Sequence, residues 1–276
     1  MKNHMNPMPQ LEPLLKQLRL SGILDSLIAR NQQAIQSKLA YTDFLALLIQ
    51  DEVARRDQRQ FAQRLRKAQV SGDKTLERFD YSSSPSVNHA LIAELGTCRF
   101  VIEHAPVLIA GPTGTGKSHL VQAIGHCALR AGYDVLFITH NRLLALLHAA
   151  RATNTYERKL QQLARIDVIA IDDFGLRPMR SPEDEDFHEL IAERYEKKAT
   201  LVTSNLAFDE WGAAFPNKLM GAATIDRLRD GAYRVELDGE TRRKLRPTSS
   251  PLSATSKAGN LATDAKLIVA KPQKTG

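Results

Sequence analysis

The spacing of apolar positions changes once along the chain, and that change divides the molecule. Leu11, Leu14, Leu15, Leu18 and Leu20 recur near the helical period, and Ile23, Leu24, Leu27 and Ile28 repeat it, so residues 11–69 read as helical. Thr42 is read as an N-cap, after which Phe44, Leu45, Leu47, Leu48 and Val53 form an apolar stripe leading into a basic run. The stretch 72–85 is punctuated, with Ser82, Ser83 and Ser84 ahead of Pro85, as in a linker or irregular lead-in. From residue 107 short apolar runs alternate with helical ones. Strands are predicted over 107–110, 134–138, 167–171, 200–203 and 233–237. Helices are predicted from a Gly-rich turn through about Arg130, over 143–150, over 156–163 and, as an exposed amphipathic helix, over 183–197. Apolar strands separated by helices predict a parallel sheet covered on both faces. The expected organisation is a helical domain over 1–70, a lead-in over 71–90, an α/β domain with a central parallel five-stranded sheet over 91–246, and a disordered basic tail over 247–276.

Composition narrows the class. With 276 residues, 43% hydrophobic and 25% charged, the chain buries a core without disulfides or structural metal. Cys98 and Cys127 form no CxxC pattern, so a reduced cytoplasmic protein is expected. No apolar run approaches the roughly 20 residues of a membrane span, and Met1 to Gln10 lacks the apolar centre of a signal peptide. The net charge of +7 is uneven: 13 basic and 9 acidic residues over 1–90, 20 and 21 over 91–245, and 5 and 1 over 246–276. A near-neutral core flanked by basic segments points to a polyanion partner. The densest run holds Arg55, Arg56, Arg59, Arg64, Arg66 and Lys67 against Asp57 alone; the alternative for it is a solvated helix face.

The chemistry concentrates after the first strand. Gly111, Pro112, Thr113, Gly114, Thr115, Gly116, Lys117 and Ser118 fit GxxxxGK[ST] between a predicted strand and a predicted helix. Such a turn aims several N–H groups and a helix N-terminus at one anion. Lys117 is expected to reach the β- and γ-phosphates of ATP and the Ser118 hydroxyl to hold Mg²⁺, with His119 beside them. The third strand ends in Asp172 and Asp173: the first is expected to hold Mg²⁺, directly or through water, the second to polarise the attacking water. Many P-loop ATPases carry Glu at the second position, so slow hydrolysis is expected. Asn205, after the fourth strand, is read as orienting that water, the alternative being a residue that ends the strand.

These features in this order resemble a known family. They are Leu14 to Gly22, Asp43-Phe-Leu45 leading to Asp51-Glu52 and the Arg run, Lys74 to Asp80, Gly111 to Leu120, Ile171 to Leu176, Thr203-Ser-Asn205, Asp226-Arg-Leu228 and Gly239-Glu240. Over roughly 11–245 the chain is similar to the IstB-type AAA+ ATPases, transposition helpers of bacterial insertion sequences related to DnaC-type helicase loaders. The resemblance implies a P-loop AAA+ core, ATP-driven self-assembly on duplex DNA, and recruitment and stimulation of a cognate transposase. It implies that Arg227 touches the γ-phosphate of a neighbouring subunit, the alternative being an ion pair with Asp226 or Asp230. It matches Arg243 to a nucleotide contact within its own subunit. It sets Phe79 near the adenine, the alternative being a packing aromatic.

For DNA, the residues from Arg55 to Lys67 offer cations at helical spacing for phosphate contacts, and Arg142, Arg177 and Arg180 are further candidates on the core. With little aromatic interleaving and no recognition-helix or zinc-finger pattern, backbone and shape readout is expected, with strong salt dependence. Two other readings share the core: a replicative helicase loader, and a metabolic P-loop kinase, which Arg227, the Asp pair and the helical prefix disfavour.

Overall fold

The periodic Leu and Ile positions near the start form three helices, α1 (Met8–Gln17), α2 (Ser21–Ser37) and α3 (Tyr41–Ala68). The computed structural model describes residues 8–81 and 87–238; Ser82 to Pro85, Arg243 and the tail expected to be disordered lie outside them. Ile23, Leu27 and Leu48 join α2 to α3, with Leu15, Leu20 and Phe44 packed against them. The two helices approach so closely that a Cβ on Gly22 would lie 2.6 Å from Glu52 Cα. Glu52 is buried, and its carboxylate accepts from the N–H of Gly22 at 2.6 Å and of Ile23 at 3.4 Å, so α3 caps the start of α2. Burial alone would raise this carboxyl, but Arg56 and the two N–H groups outweigh it and hold it below its ordinary value.

The expected cap at Thr42 is not the one used. Ala40, extended and without a side-chain bond, precedes the helix, and the Phe44 N–H already donates to Ala40 O at 3.0 Å. Thr42 therefore lies within the first turn. At its other end α3 reaches the α/β part of the molecule, where Ala68 and Val70 are buried in its core and Phe61 and Leu65 pack against it.

A 3₁₀ turn (Leu76–Arg78), α4 (His89–Gly96) and the four-residue α5 (Arg99–Ile102) lead to the sheet. Then come β1 (Val107–Ala110), α6 (Lys117–Arg130), β2 (Val135–Thr139), α7 (His140–Ala152), α8 (Tyr156–Arg165) and β3 (Val168–Phe174). They are followed by α9 (Glu183–Arg194), β4 (Ala199–Ser204), a 3₁₀ turn (Glu210–Ala214), α10 (Lys218–Arg229) and β5 (Tyr233–Glu236). The helices α4, α5 and α10 are absent from the sequence-based elements: the first two are too short to display a period. All five strands run parallel in the order β2-β3-β4-β1-β5. Because β4 inserts between β1 and β3, the turn after β1 and the acids ending β3 converge on the tip of β4.

Both faces of the sheet are covered. Leu120, Val121, Ile124 and Phe100 belong to one core cluster, and Leu143, Leu147, Phe187, Leu190 and Trp211 to the other, all nearly or wholly inaccessible. Each such side chain stabilises the fold by about 1.5–3 kcal/mol relative to exposure.

The helix over 183–197 is not the exposed one expected. It stops at Arg194, and Asp184, Asp186, Phe187, Leu190, Ile191 and Arg194 are buried. Arg194 donates to the carbonyls of Leu163 (2.9 Å), Ile166 (2.7 Å) and Ala199 (2.5 Å) and to Thr200 Oγ1 (3.1 Å), satisfying the end of α8 and the start of β4. Burial lowers its pKa to about 9. A charged residue that is saturated with carbonyl acceptors reads in a sequence like a surface residue.

Candidate functional site

The phosphate turn leaves β1 through Gly111, whose φ of +150° brings the backbone against Leu237 just after β5. A Cβ at this position would collide with the Leu237 carbonyl oxygen, so only glycine fits. The turn closes on itself through Thr115, fully buried, whose hydroxyl donates to Pro112 O at 2.9 Å. Gly116 is the N-cap of α6, and the first hydrogen bond at that end runs from the His119 N–H to Gly116 O at 3.0 Å. The N–H groups of Lys117 and Ser118 therefore precede the helix's own bonding and sit at its positive end. Lys117 is buried, and its ammonium donates to Gly111 O and Pro112 O, each at 2.7 Å. This donor set, a buried ammonium and helix-terminal N–H groups, fits the phosphates of a nucleotide.

Opposite the turn, the β3–β4 pairing slips. Ile171 is level with Val202 and Phe174 with Ser204, so three steps on β3 match two on β4. This bulge re-aims the two acids. Asp173 takes the left-handed conformation, φ +59°, which Asp tolerates better than most residues. Thr203 ties the bulge together: its hydroxyl accepts from the Asp173 N–H at 3.1 Å and donates to the Asp172 carboxylate. Asp172 is buried behind this pair, while Asp173 is half-buried and faces the turn. Ser204 secures the strand end by donating to Phe174 O at 2.7 Å and accepting from the Leu206 N–H at 3.1 Å.

One open pocket of about 510 Å³ is lined by Thr113, Gly114, Gly116, Lys117, Ser118, His119, Asp173, Leu176 and Asn205. The sequence-predicted turn, the second acid and the strand-end Asn thus meet in one place. Asp172 does not line it. Among the described residues no three His, Cys, Asp or Glu side chains cluster as a metal cage. The Ser118 hydroxyl and the Asp173 carboxylate line the same pocket and are hard oxygen donors, the type Mg²⁺ takes alongside phosphate and water.

Phe79 is buried next to α6, edge-on to His119 with ring centroids 5.6 Å apart and to Tyr81 at 5.0 Å. His119 Nε2 lies 3.1 Å from Thr75 O, so the lead-in is fastened to the first turn of α6.

Arg227 is elsewhere. It lines a second hollow of about 410 Å³ with Glu103, His104, Pro106, Lys198 and Gly231, residues that precede β1, β4 and β5. In a parallel sheet those positions mark the edge opposite the phosphate turn. Neither Asp226 nor Asp230 forms an ion pair with Arg227 among the described residues. The Asp230 carboxylate accepts from Tyr195 OH at 2.5 Å, and Arg227 Nη1 lies 3.3 Å from His188 Nε2. His188 was not singled out by sequence; nor was Thr203 singled out for a role of its own. A polar residue ending a strand buried on both faces was the available signal for Thr203.

The basic run splits around α3. At 100° per residue Arg55, Arg59 and Arg66 share one face, Arg56 and Lys67 flank it, and Arg64 points to the opposite side, near Gly132. Arg55 is ion-paired with Asp25 and Arg56 with Glu52, whereas Arg59, Arg66 and Lys67 are exposed. On the core, Arg177 forks onto Glu183 at 2.7 and 2.9 Å, while Arg142 and Arg180 are exposed. No helix among the described residues is long and apolar enough to cross a membrane.

The family of IstB-like ATP binding proteins matches residues 13–250. The insertion sequence IS21 ATP-binding protein of Pseudomonas aeruginosa is 36% identical over 236 residues, 86% of this chain and 89% of that protein. An ATP-binding protein of an insertion sequence in Mycobacterium tuberculosis is 33% identical over 249 residues, 90% of this chain and 98% of its own. Among solved structures, the replication initiator DnaA bound to AMPPCP and single-stranded DNA superposes with a TM-score of 0.53 at 20% identity, covering 62% of this chain and 51% of that one. DnaI superposes with a TM-score of 0.50 at 22% identity, covering 59% and 90%. The phosphate turn, the inserted fourth strand and a family match over most of the length agree: the chain belongs to the IstB-like ATP-binding proteins of insertion sequences, built on the AAA+ P-loop fold.

Proposed function

We propose that this protein is an ATPase that self-assembles on duplex DNA and brings the transposase of its insertion sequence to a target site. The observation that carries the reading is the shared pocket of phosphate turn, Asp173 and Asn205 in a chain of this family. Lys117 and the N–H groups of the turn bind the phosphates, and Ser118 and Asp172, the latter directly or through water, would hold Mg²⁺. Asp173 polarises the attacking water and Asn205 orients it. Mg²⁺, when bound, would neutralise part of the phosphate charge.

Arg227 supports an assembled state. Lying at the sheet edge opposite its own phosphate turn, it serves the nucleotide of a neighbour, so ATP becomes part of the subunit interface. The helices over 1–70 supply contacts to DNA and transposase, and residues 91–246 the ATPase. Arg59, Arg66 and Lys67 offer exposed charge to DNA phosphates, as do Arg142 and Arg180 on the core. Arg55, Arg56, Arg64 and Arg177 have intramolecular partners to exchange before joining them.

Sedimentation with a slowly hydrolysed ATP analogue, with and without a duplex of about 50 base pairs at two salt concentrations, tests the reading. Large complexes are expected only with both ligands, dissolving at higher salt because backbone binding releases counterions. Lys117→Ala is expected to abolish them. A protein that stays small on duplex whatever the nucleotide overturns the DNA claim and favours a helicase loader.

A further inference from the structure

We propose that His188 is the positioning residue for Arg227, a neutral imidazole that aims the guanidinium at the neighbouring subunit's nucleotide without neutralising it. This rests on the trans role given to Arg227 above.

The hydrogen-bond directions lead to one arrangement. A guanidinium only donates, so His188 Nε2, 3.3 Å from Arg227 Nη1, has to be the acceptor. The imidazole proton then sits on Nδ1, which donates to Thr224 Oγ1 at 2.7 Å. That hydroxyl, fully buried, donates in turn to Met220 O at 2.8 Å, a carbonyl one turn earlier in α10. Every donor in the line from Arg227 through His188 and Thr224 to Met220 has an acceptor, and the tautomer follows from the network rather than from either nitrogen alone. The relay starts and ends on α10, with α9 supplying only the imidazole.

The chemistry of the holder matters. Arg227 carries several rotatable bonds, and fixing it before assembly removes an entropic cost that would otherwise fall on the interface. A carboxylate would fix it equally well but would form an ion pair and compete with the γ-phosphate for the same donors. Candidate carboxylates are close: Asp230 is employed by Tyr195 and Glu189 by Tyr156 OH at 2.7 Å, and Asp226 is exposed. A neutral acceptor orients the cation and leaves its charge available. Burial and the nearby Arg227 charge both lower the His188 pKa, keeping the ring in the acceptor form near neutrality.

The test compares four full-length variants by ATP turnover on duplex and by ATP-analogue-dependent sedimentation. Arg227→Ala is expected to lose both. His188→Gln, a neutral acceptor, is expected to stay near wild type. His188→Phe is expected to lower kcat roughly tenfold with KM for ATP little changed, a fraction of what a misplaced catalytic group costs. His188→Glu is expected to be worse than His188→Phe while melting no lower, since it adds an ion pair. A purely structural role would instead rank the variants by stability. If Arg227→Ala behaves as wild type, the trans-arginine reading itself fails. If Arg227→Ala is inactive but His188→Phe and His188→Glu are fully active, only the positioning role fails. Long-range ¹⁵N–¹H histidine spectra give an independent readout: an Nδ1–H tautomer supports the relay, and an Nε2–H tautomer overturns it.

Discussion

Thr203 holds Asp173 in place across two strands, accepting its backbone N–H at 3.1 Å while donating to the neighbouring Asp172. A single hydroxyl thus fixes both the left-handed backbone of one acid and the carboxylate of the other. The bond from the Asp173 N–H bridges the stretch where the β3–β4 register shifts, between Ile171 and Phe174.

Replacing Thr203 by Val keeps the shape and removes the hydroxyl. The loss of two bonds, one of them to a buried carboxylate, is expected to destabilise the protein by about 1–3 kcal/mol. ATP turnover should fall more than nucleotide affinity, and Thr203→Ser should restore both. Urea unfolding and steady-state hydrolysis measure the two effects; unchanged turnover in the Val variant would detach Thr203 from the site.

Asp173→Asn preserves a residue that accepts φ near +59° but removes the charge. The expected result is nucleotide-dependent assembly with turnover reduced roughly a hundredfold, the loss of a general base. Asp173→Val should in addition melt lower, because a β-branched residue resists this conformation. An active Asn variant would show that another group polarises the water.

Gly22→Ala forces a methyl to within 2.6 Å of Glu52 Cα and 2.8 Å of Asp51 O. Backbone on the receiving side cannot step aside, so α2 and α3 must separate. A loss of about 1–3 kcal/mol is expected, as for other overpacked sites. Hydrogen exchange should quicken in α2 and in the facing part of α3 while nucleotide binding persists. Protection equal to wild type would mean the helices do not meet there in solution.

His140 sets a slope in the pH dependence of stability. Its ring is 1% exposed, edge-on to Phe174 and Phe187, with neither nitrogen bonded among the described residues. Burial, aided by Arg177, lowers its pKa to about 4. Below pH 6.5 the unfolded chain takes up a proton that the folded chain refuses, so stability falls from pH 6.5 down to about 4. The full drop is on the order of 3 kcal/mol, and His140→Phe should flatten it. Parallel denaturant melts of both proteins at pH 7.5 and 5 provide the check; equal slopes would refute it.

Much of this was legible before the structure. The phosphate turn, its strand and its helix are contiguous in sequence, and the glycine spacing reports the required backbone directly. The apolar runs of β1, β3 and β4 announced a two-sided parallel sheet because strands covered on both faces have no polar alternation. The acid pair was visible because it ends such a run.

What tertiary structure alone decided are pairings between residues far apart in the chain. Hydrophobic period tells which side of an element is buried, but not what a polar group meets there. Thr203 becomes the partner of Asp172 and Asp173 only once β4 lies beside β3, and the bulge arises from their register. Arg194 resembles a surface residue until the ends of α8 and the start of β4 offer it carbonyls. Likewise α3 presents Arg59 and Arg66 outward and Arg64 inward only because its far end packs on the α/β core. Sequence determined the strands, most of the helices and the phosphate-binding turn, since those depend on neighbours within one turn or strand. Packing determined which polar groups satisfy one another, since a buried donor or acceptor must find its partner wherever the fold brings one.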